Sequence, residues 1–193
     1  LPGYDPNDER PAIRLCPHVL MDRVREARQA GGVPAAGDIL SDESLVAKAY
    51  HGDVAGIPVL GDLDGLQGFA RRLEPRTFAD LVKILGLCLS PGIQFQVERL
   101  AGLPDPFDGL TGTREDVYDA CVRHGFGEDD ALRIMRQAGS GRLAQEYRDL
   151  LAARGLPGAF LEVLDAVDYL YPRGQCADYL YWAFTLLRYQ EAA

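Results

Sequence analysis

Near the C-terminal end, YLYPRGQCADYLYW (Tyr169 to Trp182) places one arginine, Arg173, directly behind Pro172 and among five tyrosine or tryptophan side chains. A guanidinium offers paired, charge-assisted hydrogen bonds to phosphate oxygens. Pro172 fixes the backbone beside it, and the helix that follows would aim free N–H groups at an anion. Aromatic faces add base stacking worth roughly 1–3 kcal/mol per base where it occurs. The spacing of Tyr169, Tyr171, Tyr179, Tyr181 and Trp182 is also that of a helix packing into a core, and periodicity favours this second reading for the aromatic series. Arg173 is therefore the stronger ligand candidate.

Other reactive side chains are sparse. Cys16 with His18 and Cys121 with His124 form two short pairs that would supply four ligands to zinc if the fold joined them. The ordinary alternative is a buried cysteine beside a surface histidine. The four cysteines include no CxxC pair, and reduced thiols are expected. GDLDG (Gly61 to Gly65) looks like a metal-carboxylate turn, but its neighbours suit a helix start capped by Asp62 or Asp64. EDD (Glu128 to Asp130) reads as a solvated first helical turn. No phosphate loop of the GxxxxGK[ST] type, no HExxH, no GxSxG and no metal-binding DxD pair occurs.

Charge restricts what such groups can bind. Twenty Lys and Arg face 29 Asp and Glu, a formal net charge of −9, so contact with a polyanion must be local or assisted. Only Lys48 and Lys83 are lysines. The apolar runs fall well short of the ~20 residues of a membrane helix, and LPGYDPNDER at the start has no apolar signal core. A cytoplasmic protein with no membrane partner is expected.

The elements that position these residues read as helices almost throughout. VLMDRVREARQA (Val19 to Ala30) repeats apolar residues at three and four and stops before Gly31 and Gly32. SDESLVAKAY starts with Ser41 as N-cap. DLDGLQGFARRL and RTFADLVKILGLCL follow, divided by Glu74 and Pro75, with Pro75 suited to the first turn of the second. Thr113 caps TREDVYDACVRHG, and Asp116 three residues on adds negative charge where the helix dipole favours it. EDDALRIMRQA, GRLAQEYRDLLAARG, LPGAFLEVLDAVDYL and CADYLYWAFTLLRY complete the series. The expected fold is all-α and multi-helical with two helical sub-bundles: a polar lead over 1–18, a first helical subdomain over 19–90, a turn-rich connector over 91–112 and a second subdomain over 113–193.

The order of these segments resembles a known family. GIPVLGDLDGLQGFARRLEPRTFADLVKILGL (Gly56 to Leu87), TREDVYDACVRHGFGEDDALRIMRQAGSGRL (Thr113 to Leu143) and LPGAFLEVLDAVDYLYPRGQCADYLYWAFTLLRY (Leu156 to Tyr189) are similar, in that order, to the fingers region of the bacterial PolC-type (C-family) DNA polymerase III alpha subunit. SDESLVAKAY extends the likeness upstream. In the family the turn matching YPRGQCADY carries a Lys and a His on the surface facing incoming nucleotide and primer-template. Arg173 keeps the cation, Gln175 stands in place of the His, and Asp178 replaces a small residue. The family's basic turn near QAGSGR retains only Arg142. After LVKILGL, Leu89, Pro91 and Gln94 stand at or near positions of a Ser-His-Gly-Thr turn and its following aromatic residue.

The resemblance thus implies a fingers-like module of a replicative polymerase, with Arg173, Gln175 and Arg142 as nucleotide- or DNA-binding candidates and DNA and dNTP as weakly held ligands. Other polymerase domains or replication proteins are the implied partners. The palm carboxylates that hold two Mg2+ ions in such polymerases are absent from this chain, so it carries no cofactor and no catalytic residue of its own and is expected to be inactive alone. The alternative is a divergent stand-alone helical module for protein interaction that has lost nucleotide binding.

Overall fold

In the computed structural model the described residues are 22–26, 29, 36–52, 54–61, 63 and 65–192. The expected caps Asp62 and Asp64, the Cys16–His18 pair and half of the residues of the expected Val19–Ala30 helix lie outside them. Among the described residues from 36 onward the helices are, in order, α1 (Ala36–Leu40), α2 (Glu43–His51), α3 (Leu66–Leu73), α4 (Phe78–Leu89), α5 (Gln96–Leu100), α6 (Pro106–Gly109), α7 (Arg114–Arg123), α8 (Glu128–Ala138), α9 (Gln145–Ala153), α10 (Gly158–Ala166) and α11 (Arg173–Ala192). The fold is all-α. Among the described residues the one bridge of β type joins Thr113 to Tyr171, and no helix is long and apolar enough to cross a membrane.

Local chemistry sets several boundaries. Asp42, not Ser41, caps α2: its carboxylate accepts from the Ser44 N–H at 3.0 Å. Ser41 closes α1 instead, its hydroxyl donating to the Gly37 carbonyl at 2.7 Å. The short α1 claims the serine, and the carboxylate takes the next helix. Thr77 and Asp80 cap α4 reciprocally, Thr77 Oγ1 accepting from the Asp80 N–H and Asp80 from the Thr77 N–H. Pro75 is therefore outside α4 rather than in its first turn; Glu74, at φ 52°, ends α3 in the left-handed region ahead of it. The last helix begins at Arg173, earlier than CADYLYW suggested, because Pro172 supplies the first carbonyl, which accepts from the Cys176 N–H at 3.2 Å.

Packing joins the beginning and the end of the chain. Cys176, Leu180, Ala183, Phe184 and Leu187 form the buried stripe of α11, spaced at three and four as a helix face requires. It lies against α4, whose Leu81, Ile84 and Leu85 are fully buried, and reaches α1 and α2. Phe78 meets Phe184 edge to face with centroids 5.5 Å apart. Arg188 of α11 pairs with Asp42 at 2.5 Å, tying the cap of α2 to the last helix. The hydrophobic core runs unbroken through the described residues from Val24 to Leu187. Leu81, Val82, Ile84, Ile134 and Leu164 are buried as helical periodicity anticipates, whereas Tyr169, which that spacing favoured for the core, is 39% exposed: the Arg114 guanidinium covers its ring at 4.7 Å, and Tyr171 meets it edge to face.

The extended segment before α11 is held from several sides. Leu170 N–H donates to Gly139 O at 3.1 Å, Tyr171 N–H to Ser90 Oγ at 3.2 Å, and Arg114 N–H to Tyr171 O at 3.1 Å. Opposite it, the α4 backbone and the Gly112 backbone touch: a Cβ on Gly112 would overlap the Lys83 carbonyl, and one on Gly86 would overlap the Gly112 carbonyl. We therefore expect Gly112→Ala to destabilise the protein by about 1–3 kcal/mol while leaving the far-UV helical signal intact, as read by urea denaturation followed by circular dichroism. Unchanged stability would show that the two backbones are not in contact.

Candidate functional site

Asp116 reaches its position through the helix start that contains it. As the third residue of α7, it turns back over Gly112 and Thr113, and its Oδ2 accepts from the Gly112 N–H at 3.0 Å, the Thr113 N–H at 2.7 Å and Thr113 Oγ1 at 2.9 Å. These bonds satisfy N–H groups left free by the helix geometry. Oδ1 faces the other way, accepting from Arg173 at 3.0 Å with the Lys83 ammonium 3.6 Å distant. The carboxylate is only 6% exposed, so it is an anion kept in the interior by three hydrogen-bond donors and two cations.

Arg173 meets more acid than base. Besides Asp116, its guanidinium donates to Asp119 Oδ2 at 2.6 Å, and its backbone N–H donates to Glu115 Oε2 at 2.7 Å. Burial works against the charged guanidinium, but the Asp119 and Asp116 carboxylates outweigh it and push its pKa up. The N-terminus of α11, expected to attract phosphate, thus already faces a carboxylate from within the chain. Lys83 is engaged similarly: its ammonium donates to the Phe107 carbonyl at 2.6 Å as well as facing Asp116.

The three sequence-derived candidates lie in different surroundings. Arg173 belongs to the acidic hub. Gln175 is exposed one helical turn from Tyr179 and donates to its hydroxyl at 2.9 Å. Arg142 is exposed in the turn after α8, where its backbone N–H bonds Gln137 O. That turn packs on the segment leading to Arg173, since Leu170 bonds Gly139 and Gly141 stands against the Asp168 carbonyl. Sequence reasoning named Asp116 only as a charge near a helix dipole and passed over Glu115, Asp119 and Lys83. The one available signal was the run of acids at i, i+1 and i+4 in REDVYD, Glu115, Asp116 and Asp119.

The hub forms one wall of a cleft of about 800 Å³ whose other walls include Phe78, Val82, Leu156 and Phe160. His124 and Arg123 also line it; His124 Nδ1 is 2.9 Å from the Ala120 carbonyl, and Arg123 pairs with Asp108 at 3.1 Å. Cys121, which would share zinc with His124 only if the fold joined the two pairs, is fully buried, and burial pushes its thiol up to about 12. A protonated thiol is a poor metal ligand. Among the described residues no group of three or more His, Cys, Asp or Glu is placed to hold a metal ion.

No family model matches the chain. PolC-type DNA polymerase III of Mycoplasmopsis pulmonis is 27% identical over 166 residues, covering 81% of this chain and 11% of that protein. The PolC-type enzyme of Thermotoga petrophila is 25% identical over 138 residues, or 68% of this chain and 10% of its own length. That of Clostridium perfringens is 26% identical over 124 residues, covering 61% of this chain and 8% of that protein. The chain is similar to a region of these polymerases and spans about a tenth of their length.

Two measurements check this site. Asp116→Ala removes the helix-start bonds and leaves Arg173 and Lys83 short of a counter-charge, so it should cost about 2–4 kcal/mol; Arg173→Ala, at a position 37% exposed, should cost less. Equal effects in urea denaturation would contradict a central role for Asp116. Burial also pushes the Cys88 and Cys176 thiols up to about 12 from 9.0. A raised folded pKa gives stability that is complete below pH ~9 and lost as pH rises toward 12. Replacing Cys88, Cys121 and Cys176 with Ala should therefore flatten the alkaline loss of stability relative to wild type.

Proposed function

We propose that this chain acts as a fingers-like helical module of a bacterial PolC-type DNA polymerase III, cytoplasmic, contributing to DNA and incoming-nucleotide contact and depending on a palm elsewhere for its Mg2+ ions. The observation that carries this reading is the similarity to PolC-type DNA polymerase III through 81% of the chain. The all-helical framework supports it, with α4 and α11 drawn from segments that resemble the family. Within this module Arg142 is the cation offered to phosphate, because it is exposed at a turn, whereas Arg173 is committed to Asp116 and Asp119. Gln175, exposed on α11 and bonded to the Tyr179 hydroxyl, adds a neutral donor elsewhere on the surface. Neighbouring polymerase domains or other replication proteins are the natural partners of the remaining surface.

A second reading, a helical interaction module that has lost nucleotide binding, is favoured by one observation. The N–H of Arg173 and its guanidinium are both occupied by carboxylates of the same chain. A triphosphate arriving there would meet Glu115, Asp116 and Asp119 at close range.

Titration of a fluorescent primer-template and of dNTP at low salt separates the two. The polymerase reading expects weak DNA binding that fades with salt over a shallow slope, with Arg142→Ala losing roughly 1.5–3 kcal/mol and Arg173→Ala losing less. Absence of binding even at low salt, or equal affinity in wild type and Arg142→Ala, would leave the interaction module. Primer extension with Mg2+ and all four dNTPs is expected to fail; robust extension by contaminant-free protein would place a catalytic centre in this chain.

A further inference from the structure

The cleft beside the hub continues beyond it. Phe78, Ala79 and Ala177 line both this cleft and a shallower groove of about 860 Å³, so the two form one trough over α4 and α11. Each part has the size of a ligand pocket, roughly 300–1,000 Å³. One end is apolar, with Leu40 46% exposed beside Tyr181 and Trp182. The other end is closed by Leu156 and Phe160.

The charges facing the trough are unevenly committed. Its cations are all held from within: Lys83 by the Phe107 carbonyl and Asp116, Arg123 by Asp108, and Arg173 by Asp116 and Asp119. Its carboxylates have capacity left. Asp119 uses one oxygen on Arg173 and is 46% exposed. Asp178, exposed at the rim, accepts from Trp182 Nε1 through Oδ1. An ionised carboxylate accepts about four hydrogen bonds, so what the trough offers an incoming group is acceptor oxygen and negative charge between two apolar ends. Phosphate would be repelled there, and a purely apolar segment would leave these carboxylates desolvated and unpaired.

We propose that this trough docks a polypeptide segment carrying an arginine or lysine between apolar or aromatic residues, the cation meeting Asp119 and Asp178 and the flanking side chains resting on Phe160 at one end and on Leu40 and Trp182 at the other. This inference stands on the trough alone and is independent of the polymerase reading, which the DNA titration tests separately. Docking there would leave the Arg142 turn free.

Selection of a random displayed peptide library on the full chain tests it, followed by titration of the enriched peptide against the fluorescence of Trp182, the sole tryptophan. Enriched peptides should carry Arg or Lys beside apolar residues. Their affinity should fall about tenfold or more in Asp119→Arg and in Leu40→Glu. Leu40 is 46% exposed, so Leu40→Glu is expected to melt near the parent; Asp119→Arg also loses the pair with Arg173, so its melting is checked first and Asp178→Arg, outside that pair, is titrated beside it with the same expected loss of affinity. Millimolar dATP should not compete. Failure to enrich, enrichment of acidic peptides, insensitivity to these substitutions, or displacement by dATP would each overturn the proposal. So would self-association in sedimentation velocity that Leu40→Glu abolishes, since a second copy would then be the occupant.

Discussion

Both oxygens of Asp116 are used, and in opposite directions. Oδ2 binds the Gly112 and Thr113 N–H groups that open α7, while Oδ1 binds Arg173 at the first position of α11 and faces Lys83 on α4. A carboxylate only 6% exposed would be costly alone. Here it is stable because the helix start supplies donors to one side and two cations balance the other. Three elements far apart in the chain are thereby held to one another, and the close approach of Gly112 to Lys83 depends on the same arrangement.

The hub also decides the electrostatics of the helix that follows. A helix N-terminus attracts anions, and an arginine there strengthens the attraction. In this fold Glu115 and Asp119 provide the anions from the neighbouring helix. The positive end of α11 is consumed in joining α7 to α11. What remains outward is acceptor oxygen, in keeping with a chain of net charge −9. Arg142, carried on a turn that packs against the segment before α11, sits outside this neutralised region.

Beneath the charges, one apolar seam carries the mechanical load. The stripe of Cys176, Leu180, Ala183, Phe184 and Leu187 on α11 closes over α4, with Phe78 set against Phe184. Because α11 also reaches α1 and α2, the end of the chain completes the core begun near its start. The trough begins where that seam ends: the gap beside the start of α11 is lined by side chains from α4, α7, α10 and α11.

The helical class, most helix locations and the apolar framework were legible in the sequence, because i, i+3, i+4 periodicity and capping residues act over one or two turns. Thr77 and Asp80 cap α4 through such local bonds. Local rules failed where two local options competed, as at Ser41 and Asp42, and where the first turn of α11 took its carbonyl from Pro172. The environment of Arg173 was not legible at all. Its partners Asp116 and Asp119 lie 57 and 54 residues earlier, and no periodicity spans that distance. Pattern in the sequence identifies a cation at a helix start; only tertiary packing decides that the anion it meets is the protein's own, because desolvation and charge pairing depend on which side chains the fold brings within a few ångströms.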